Sequence, residues 1–190
     1  QNSSLEKLMP HWLECNVEST RKTPENIKQY WQLKKRELLN PSSHDEPLFL
    51  LTLESIGPTP TWQAGDLIDI QPEHSNDTVK KWLSQHQLNG SEQLAYQGRQ
   101  QTLEAWLAQR ELPDVTNMRA QELIAKLPYL GQRSYSVASI TASGQLQLIV
   151  RLLQKSDKNL GLASSYLSYY SQIGDIIQGQ IRTVKMHHQI

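Results

Sequence analysis

Three side chains in the stretch Arg133-Ser134-Tyr135-Ser136-Val137-Ala138-Ser139 could do chemistry together: a guanidinium, a phenol ring and a hydroxyl at i, i+2 and i+3. On a strand, Arg133 and Tyr135 project from one face and Ser136 from the other. A guanidinium fork matches phosphate oxygens two at a time. A flat aromatic beside it stacks on a planar heterocycle. The pair asks for a ligand in which a phosphate and a ring system lie close together. Where the strand ends or twists, the Ser136 backbone and hydroxyl still reach such a ligand.

A second stretch, Asn159-Leu160-Gly161-Leu162-Ala163-Ser164-Ser165-Tyr166-Leu167, puts a glycine ahead of small residues. A helix opening at Gly161 and running through Ala163–Tyr170 leaves free N–H groups at its start, where the dipole favours an anion. Ser164 adds a hydroxyl donor. Alone, a glycine before a helix is usually just a turn. Paired with Arg133, it suggests two clamps on one pyrophosphate.

These residues need strands and a helix to hold them. Tyr30 to Leu39 reads as a strand, bulged around its charged Lys34-Lys35-Arg36-Glu37 block, and Asn40-Pro41-Ser42-Ser43 as a turn. Leu48 to Leu53 is a second strand. Gly65-Asp66 opens a third, Leu67-Ile68-Asp69-Ile70, which alternates apolar and polar and stops at Pro72. Residues 77–127 read as an insertion of short helices, with Val79, Trp82, Leu83 and then Leu103, Trp106, Leu107 at helical spacing. Asp77 is the expected cap of the first helix, and Thr102 sits in the first turn of the second. The two tryptophans are expected to be packing residues. Strands return at Tyr135–Ile140 and Leu146–Leu152, joined by a Ser143-Gly144 turn, and at Ile176–Val184. The expected fold class is mainly β with a helical insertion: a six-stranded antiparallel barrel of the Greek-key kind, filled by its own side chains. Residues 1–28 read as an N-terminal arm or linker, and 29–190 as the barrel with its insertion.

Composition narrows the function. Nineteen Lys and Arg against nineteen Asp and Glu argue against a general nucleic-acid or anionic-membrane surface. The lone cysteine, Cys15, cannot form an internal disulfide and reads as inert. No apolar run approaches the roughly 20 residues of a membrane span. The six histidines are scattered, and His187-His188 on a strand would point to opposite faces, so no metal site is expected. Lys34-Lys35-Arg36 could dock an acidic electron-transfer partner; a solvated strand edge protected by charge is the more economical reading.

The RxYSxxS stretch from Arg133 to Ser139, followed by GxxS from Gly161 to Ser164, resembles the FAD-binding barrel of the ferredoxin–NADP reductase superfamily. Trp62-Gln63-Ala64-Gly65-Asp66 is similar to that family's entry to its third strand. Leu123 to Leu130, just before Arg133, and the insertion itself resemble the diflavin reductases, the type of sulfite reductase flavoproteins and microsomal cytochrome reductase. The likeness spans roughly Trp31 to Arg182. It implies that Arg133 binds the FAD pyrophosphate, that Tyr135 stacks on the isoalloxazine, and that Ser136 sits near the flavin N5 as the catalytic hydroxyl. Gly161, Leu162, Ala163 and Ser164 would hold the pyrophosphate, and the strand carrying Val150 and Arg151 would pass beneath the flavin. It further implies NADPH as hydride donor, FMN or another one-electron acceptor as outlet, a redox partner protein, and a cytoplasmic location. Alternatives are a single-flavin ferredoxin or flavodoxin reductase, or a barrel scaffold that has lost its flavin. The sequence departs from the family in three ways. Leu152-Leu153-Gln154 lacks the aromatic that covers adenine, and the insertion is short. The glycine-rich NADP-binding domain is absent, so one domain of a longer parent is expected.

Overall fold

A computed structural model describes residues 28–140, 144–153 and 158–184, with the backbone alone described at 139–140 and 158–161. The expected arm up to residue 27, with Cys15, the Ser143 half of the expected hairpin turn, Gln154, and His187-His188 lie outside the described residues.

Six strands form one antiparallel sheet that closes on itself. They are β1 (Tyr30–Leu38), β2 (Leu48–Ile56), β3 (Leu67–Ile70), β6 (Arg133–Ile140), β7 (Gln145–Arg151) and β8 (Ile176–Arg182). Their order is β1-β2-β7-β6-β3-β8, and β8 pairs back onto β1 through Trp31 opposite Ile177. Alternation explains the filling. In β3, Ile68 and Ile70 are fully buried inside, while Leu67 and Asp69 face out. Trp31, Leu33, Leu51, Leu53, Leu146 and Leu148 complete the same core. The expected bulge in β1 lies between Leu33 and Lys35, where an extra residue is absorbed. Gly179 of β8 is buried where a Cβ would stand 2.8 Å from Ile70 Cδ1, and its carbonyl accepts the Trp31 indole N–H at 2.8 Å.

The insertion has its own core and is not purely helical. Helices α1 (Asn76–Gln85), α2 (Leu103–Leu107) and α3 (Ala120–Lys126) surround a hairpin of β4 (Gln93–Tyr96) and β5 (Arg99–Thr102). The all-helical expectation for 77–127 fails there. Gln97 and Gly98 both have positive φ, at 48° and 76°, which is the primed turn that suits strand twist. Asp77 lies in the first turn of α1, but Ser75 is its cap, accepting the Thr78 N–H; Thr102 caps α2 by accepting from Ala105. Trp82 and Trp106 pack in this second core and donate to the carbonyls of Pro113 and Leu94.

After β7 comes α4 (Lys158–Ser165), followed by a π-helical turn over Tyr166–Tyr170. Tyr166 and Leu167 join the barrel core. Arg36 holds this turn by donating to the carbonyls of Leu167 at 3.2 Å and Ser171 at 2.6 Å. Lys34 pairs with Glu54 and Lys35 with Glu37. The Lys34-Lys35-Arg36 block is therefore engaged within the chain, and Arg36 has a structural task at the end of a helical segment.

Candidate functional site

Register places the motif of β6. Arg133 stands opposite Ile70 and Tyr135 opposite Ile68, while Ser134 and Ser136 stand opposite Asp69 and Leu67. Ile68 and Ile70 point into the barrel, so Arg133 and Tyr135 share the inward face and Ser136 takes the outward one. Arg133 is the first residue of β6, at the barrel's end, and is exposed. It has neither an ion pair nor a hydrogen bond among the described residues. Tyr135 is half-buried against the barrel core. Burial pushes its phenol up to about 12, partly opposed by the nearby Arg133 charge. Tyr135 is thus a neutral ring next to a free guanidinium. Ser136 and its hydroxyl are exposed.

The outward neighbours form a separate cluster. Arg182 donates to both oxygens of Asp69 at 3.1 and 3.2 Å, and Ser134 donates to Asp69 as well. Burial works to raise the Asp69 carboxyl, but the bonds from Arg182 and Ser134 outweigh it and leave the group below its ordinary range. This cluster ties β3, β6 and β8 together behind the motif.

The last turn of α4, with Ser164, lies at the same end of the barrel. β7 runs antiparallel to β6 with Val137 opposite Leu148, so the chain beyond Arg151 comes alongside the start of β6, where Arg133 stands. Leu153 N–H then donates to Ser164 Oγ at 3.3 Å, which draws α4 to that end. Val150 is buried inside opposite Phe49, and Arg151 is exposed opposite Leu48. Within α4, Ala163 and Ser164 are buried and Leu162 is half-buried. The helix begins at Lys158, ahead of the expected opening at Gly161. Gly161 therefore lies in the first turn, and the first free N–H groups belong to the residues before it. At the far end of β3, Gly65 takes φ +89°, and Asp66 accepts from Gln63 at 2.8 Å while its carbonyl accepts Val137 N–H. The Gly-Asp entry is thus fastened to β6 directly after Ser136.

These groups fit a flavin dinucleotide in part. A guanidinium without a partner among the described residues, a half-buried neutral ring and an exposed hydroxyl lie together on β6, and the last turn of α4 is drawn to the same barrel end. The Ser164 hydroxyl is already engaged by Leu153. Beyond the motif, a cleft of about 190 Å³ lies between the barrel and the insertion, lined among others by Lys28, Arg99, Gln109, Tyr129 and Gln178. Its residues come from five separate segments, so no local spacing announces it.

Among the described residues, no group of three His, Cys, Asp or Glu could hold a metal, and no helix is long and apolar enough to cross a membrane. No family model matches the chain, and no curated protein matches it either.

Proposed function

We propose that the chain is a Greek-key FAD-binding barrel belonging to an NADPH-dependent flavoprotein oxidoreductase. The observation that carries this reading is the shared barrel end: Arg133 and Tyr135 open β6 beside the segment that leads from β7 into α4. In this reading Arg133 and the first turn of α4 hold the pyrophosphate. Tyr135 lies against the isoalloxazine, and Ser136 approaches it from the strand's other side. When bound, FAD would accept a hydride from NADPH and release electrons singly to FMN or another acceptor. The NADPH site, an FMN domain and the partner protein would belong to other parts of a longer parent, and a cytoplasmic setting goes with that assignment.

The test is a titration of the chain with FAD, read by the visible flavin band and by flavin fluorescence. A structured, shifted band with quenched emission is expected. Arg133→Ala should weaken affinity by about tenfold or more, the worth of a charge-assisted contact. Arg119→Ala, an exposed arginine of the insertion, should leave it unchanged. Absence of any spectral change would favour a scaffold barrel without flavin, a reading that the engaged Ser164 hydroxyl supports.

A further inference from the structure

We propose that the cleft between barrel and insertion binds a phosphate group, held by Lys28, Arg99 and the Tyr129 hydroxyl, with the buried Arg110 positioning that hydroxyl. This site is independent of the flavin reading. Lys28, Arg99 and Arg110 have no ion pair among the described residues. Arg110 is 3% exposed, a full charge inside the protein without a carboxylate beside it. Such a charge is costly to bury, and its field extends into the neighbouring space.

Tyr129 converts that field into a binding group. The Arg110 guanidinium lies over the Tyr129 ring at 3.8 Å and donates Nη2–H to the Tyr129 oxygen at 3.1 Å. The tyrosine oxygen is thereby used as an acceptor, and its own O–H proton remains to be given away. Tyr129 is 46% exposed and forms the cleft wall. Lys28 and Arg99 line the same cleft, and so do the amides of Gln101 and Gln109. A second hollow, of about 370 Å³, continues from it along Lys28, Gln109, Tyr129 and Gln178. The first cleft has room for a phosphate group and several waters at about 30 Å³ each.

The local charges favour an anion. The Lys28 ammonium is held below its ordinary range by burial, then by Arg99 and Arg110. An entering anion would relieve all three cations. Glu73 is the one carboxylate lining the cleft among the described residues. Burial pushes its carboxyl up, opposed by the Gln109 amide bond and reinforced by Asp175. It stands against Gln109, and Gln109 also donates to Gln178, so the acid is spanned by neutral amides.

The experiment is calorimetric titration of the full chain with inorganic phosphate and, separately, with phenyl phosphate, at constant ionic strength set by chloride. Saturable binding of one equivalent is expected. Tighter binding of phenyl phosphate would assign the site to an esterified phosphate, and equal binding to the free ion. Arg99→Gln and Lys28→Gln, both at exposed positions, should each weaken binding about tenfold. Tyr129→Phe keeps the ring over Arg110 and should weaken it about threefold to tenfold. Arg119→Ala, at an exposed position outside the cleft, should leave phosphate affinity unchanged; an equal loss there would make the binding non-specific and overturn the proposal. Absence of saturable binding, or variants in the cleft that bind as the parent does, would overturn it as well. Neither result bears on whether FAD binds.

Discussion

Arg110 and Tyr129 are joined twice, by a cation lying 3.8 Å from the ring centre and by a hydrogen bond of 3.1 Å. Their backbones also form an isolated antiparallel bridge. Arg110 further donates to the Leu127 carbonyl at 2.7 Å, so one side chain fastens the end of α3 to the loop before β6. Its Nε–H finds no acceptor among the described residues. The residue thus combines sound packing with incomplete charge compensation.

Arg110→Ala should lower stability by about 2–4 kcal/mol, from the cavity and from the carbonyl left without a donor. Arg110→Met should recover at least half of that loss, since it restores volume and removes a buried charge. Urea unfolding of both variants checks this; equal losses would mean that charge and volume are irrelevant at this position.

Arg36 supplies a second test. It donates to two carbonyls at the end of the π-helical turn, which carries Tyr166 and Leu167 into the barrel core. Arg36→Ala should cost about 1–3 kcal/mol, the range for hydrogen bonds from a charged donor. Lys34→Ala, whose exposed pair with Glu54 is solvated, should change stability by less than about 1 kcal/mol. Thermal melts of the two variants at neutral pH should therefore separate clearly.

These two arginines also mark where the sequence was legible and where it was not. The alternation of Leu67-Ile68-Asp69-Ile70 announced both a strand and its inward face, on which Arg133 stands opposite Ile70. Period-2 burial is a local signal, and so is the i, i+2 sharing of a face by Arg133 and Tyr135. The hairpin of β4 and β5 escaped because Gln93–Thr102 has few β-branched residues and lies between two strong helical patterns. Asp77 and Ser75 are equally able caps by type, and only the chain path decides between them. Arg110 and Arg36 look like any surface arginine in sequence. Their partners, Leu127, Tyr129, Leu167 and Ser171, are brought to them by tertiary folding alone.

Tyr135 predicts a difference at alkaline pH. Its phenol titrates near 10 in the unfolded chain and is pushed up to about 12 in the folded one by burial. The folded state therefore holds the proton longer. Its stabilising contribution is complete below pH 10 and is lost as pH rises from 10 through 12. Between those limits the parent should lose roughly 2 kcal/mol more than Tyr135→Phe does. Tyr166, also held protonated by burial, is common to both proteins and cancels in the comparison. Denaturant unfolding across that range checks the sign, and parallel curves would mean that the ring is more open to water than its packing implies.

Ser164 separates frame from ligand contact in the proposed flavin site. The residue is 2% exposed, and its oxygen accepts the Leu153 N–H. A hydroxyl so placed fastens α4 to the strand end that also flanks Arg133. Ser164→Ala removes that acceptor from a half-buried N–H and should cost about 0.5–1.5 kcal/mol of stability. FAD affinity, measured where the variant is fully folded, should change by less than about twofold, while Arg133→Ala loses tenfold or more. The two effects would separate because a hidden oxygen stabilises the frame, whereas in the proposed site the exposed guanidinium would meet the ligand. A tenfold loss of FAD affinity in a folded Ser164→Ala protein would instead make the hydroxyl a direct contact, and would require Leu153 to release it when the flavin arrives.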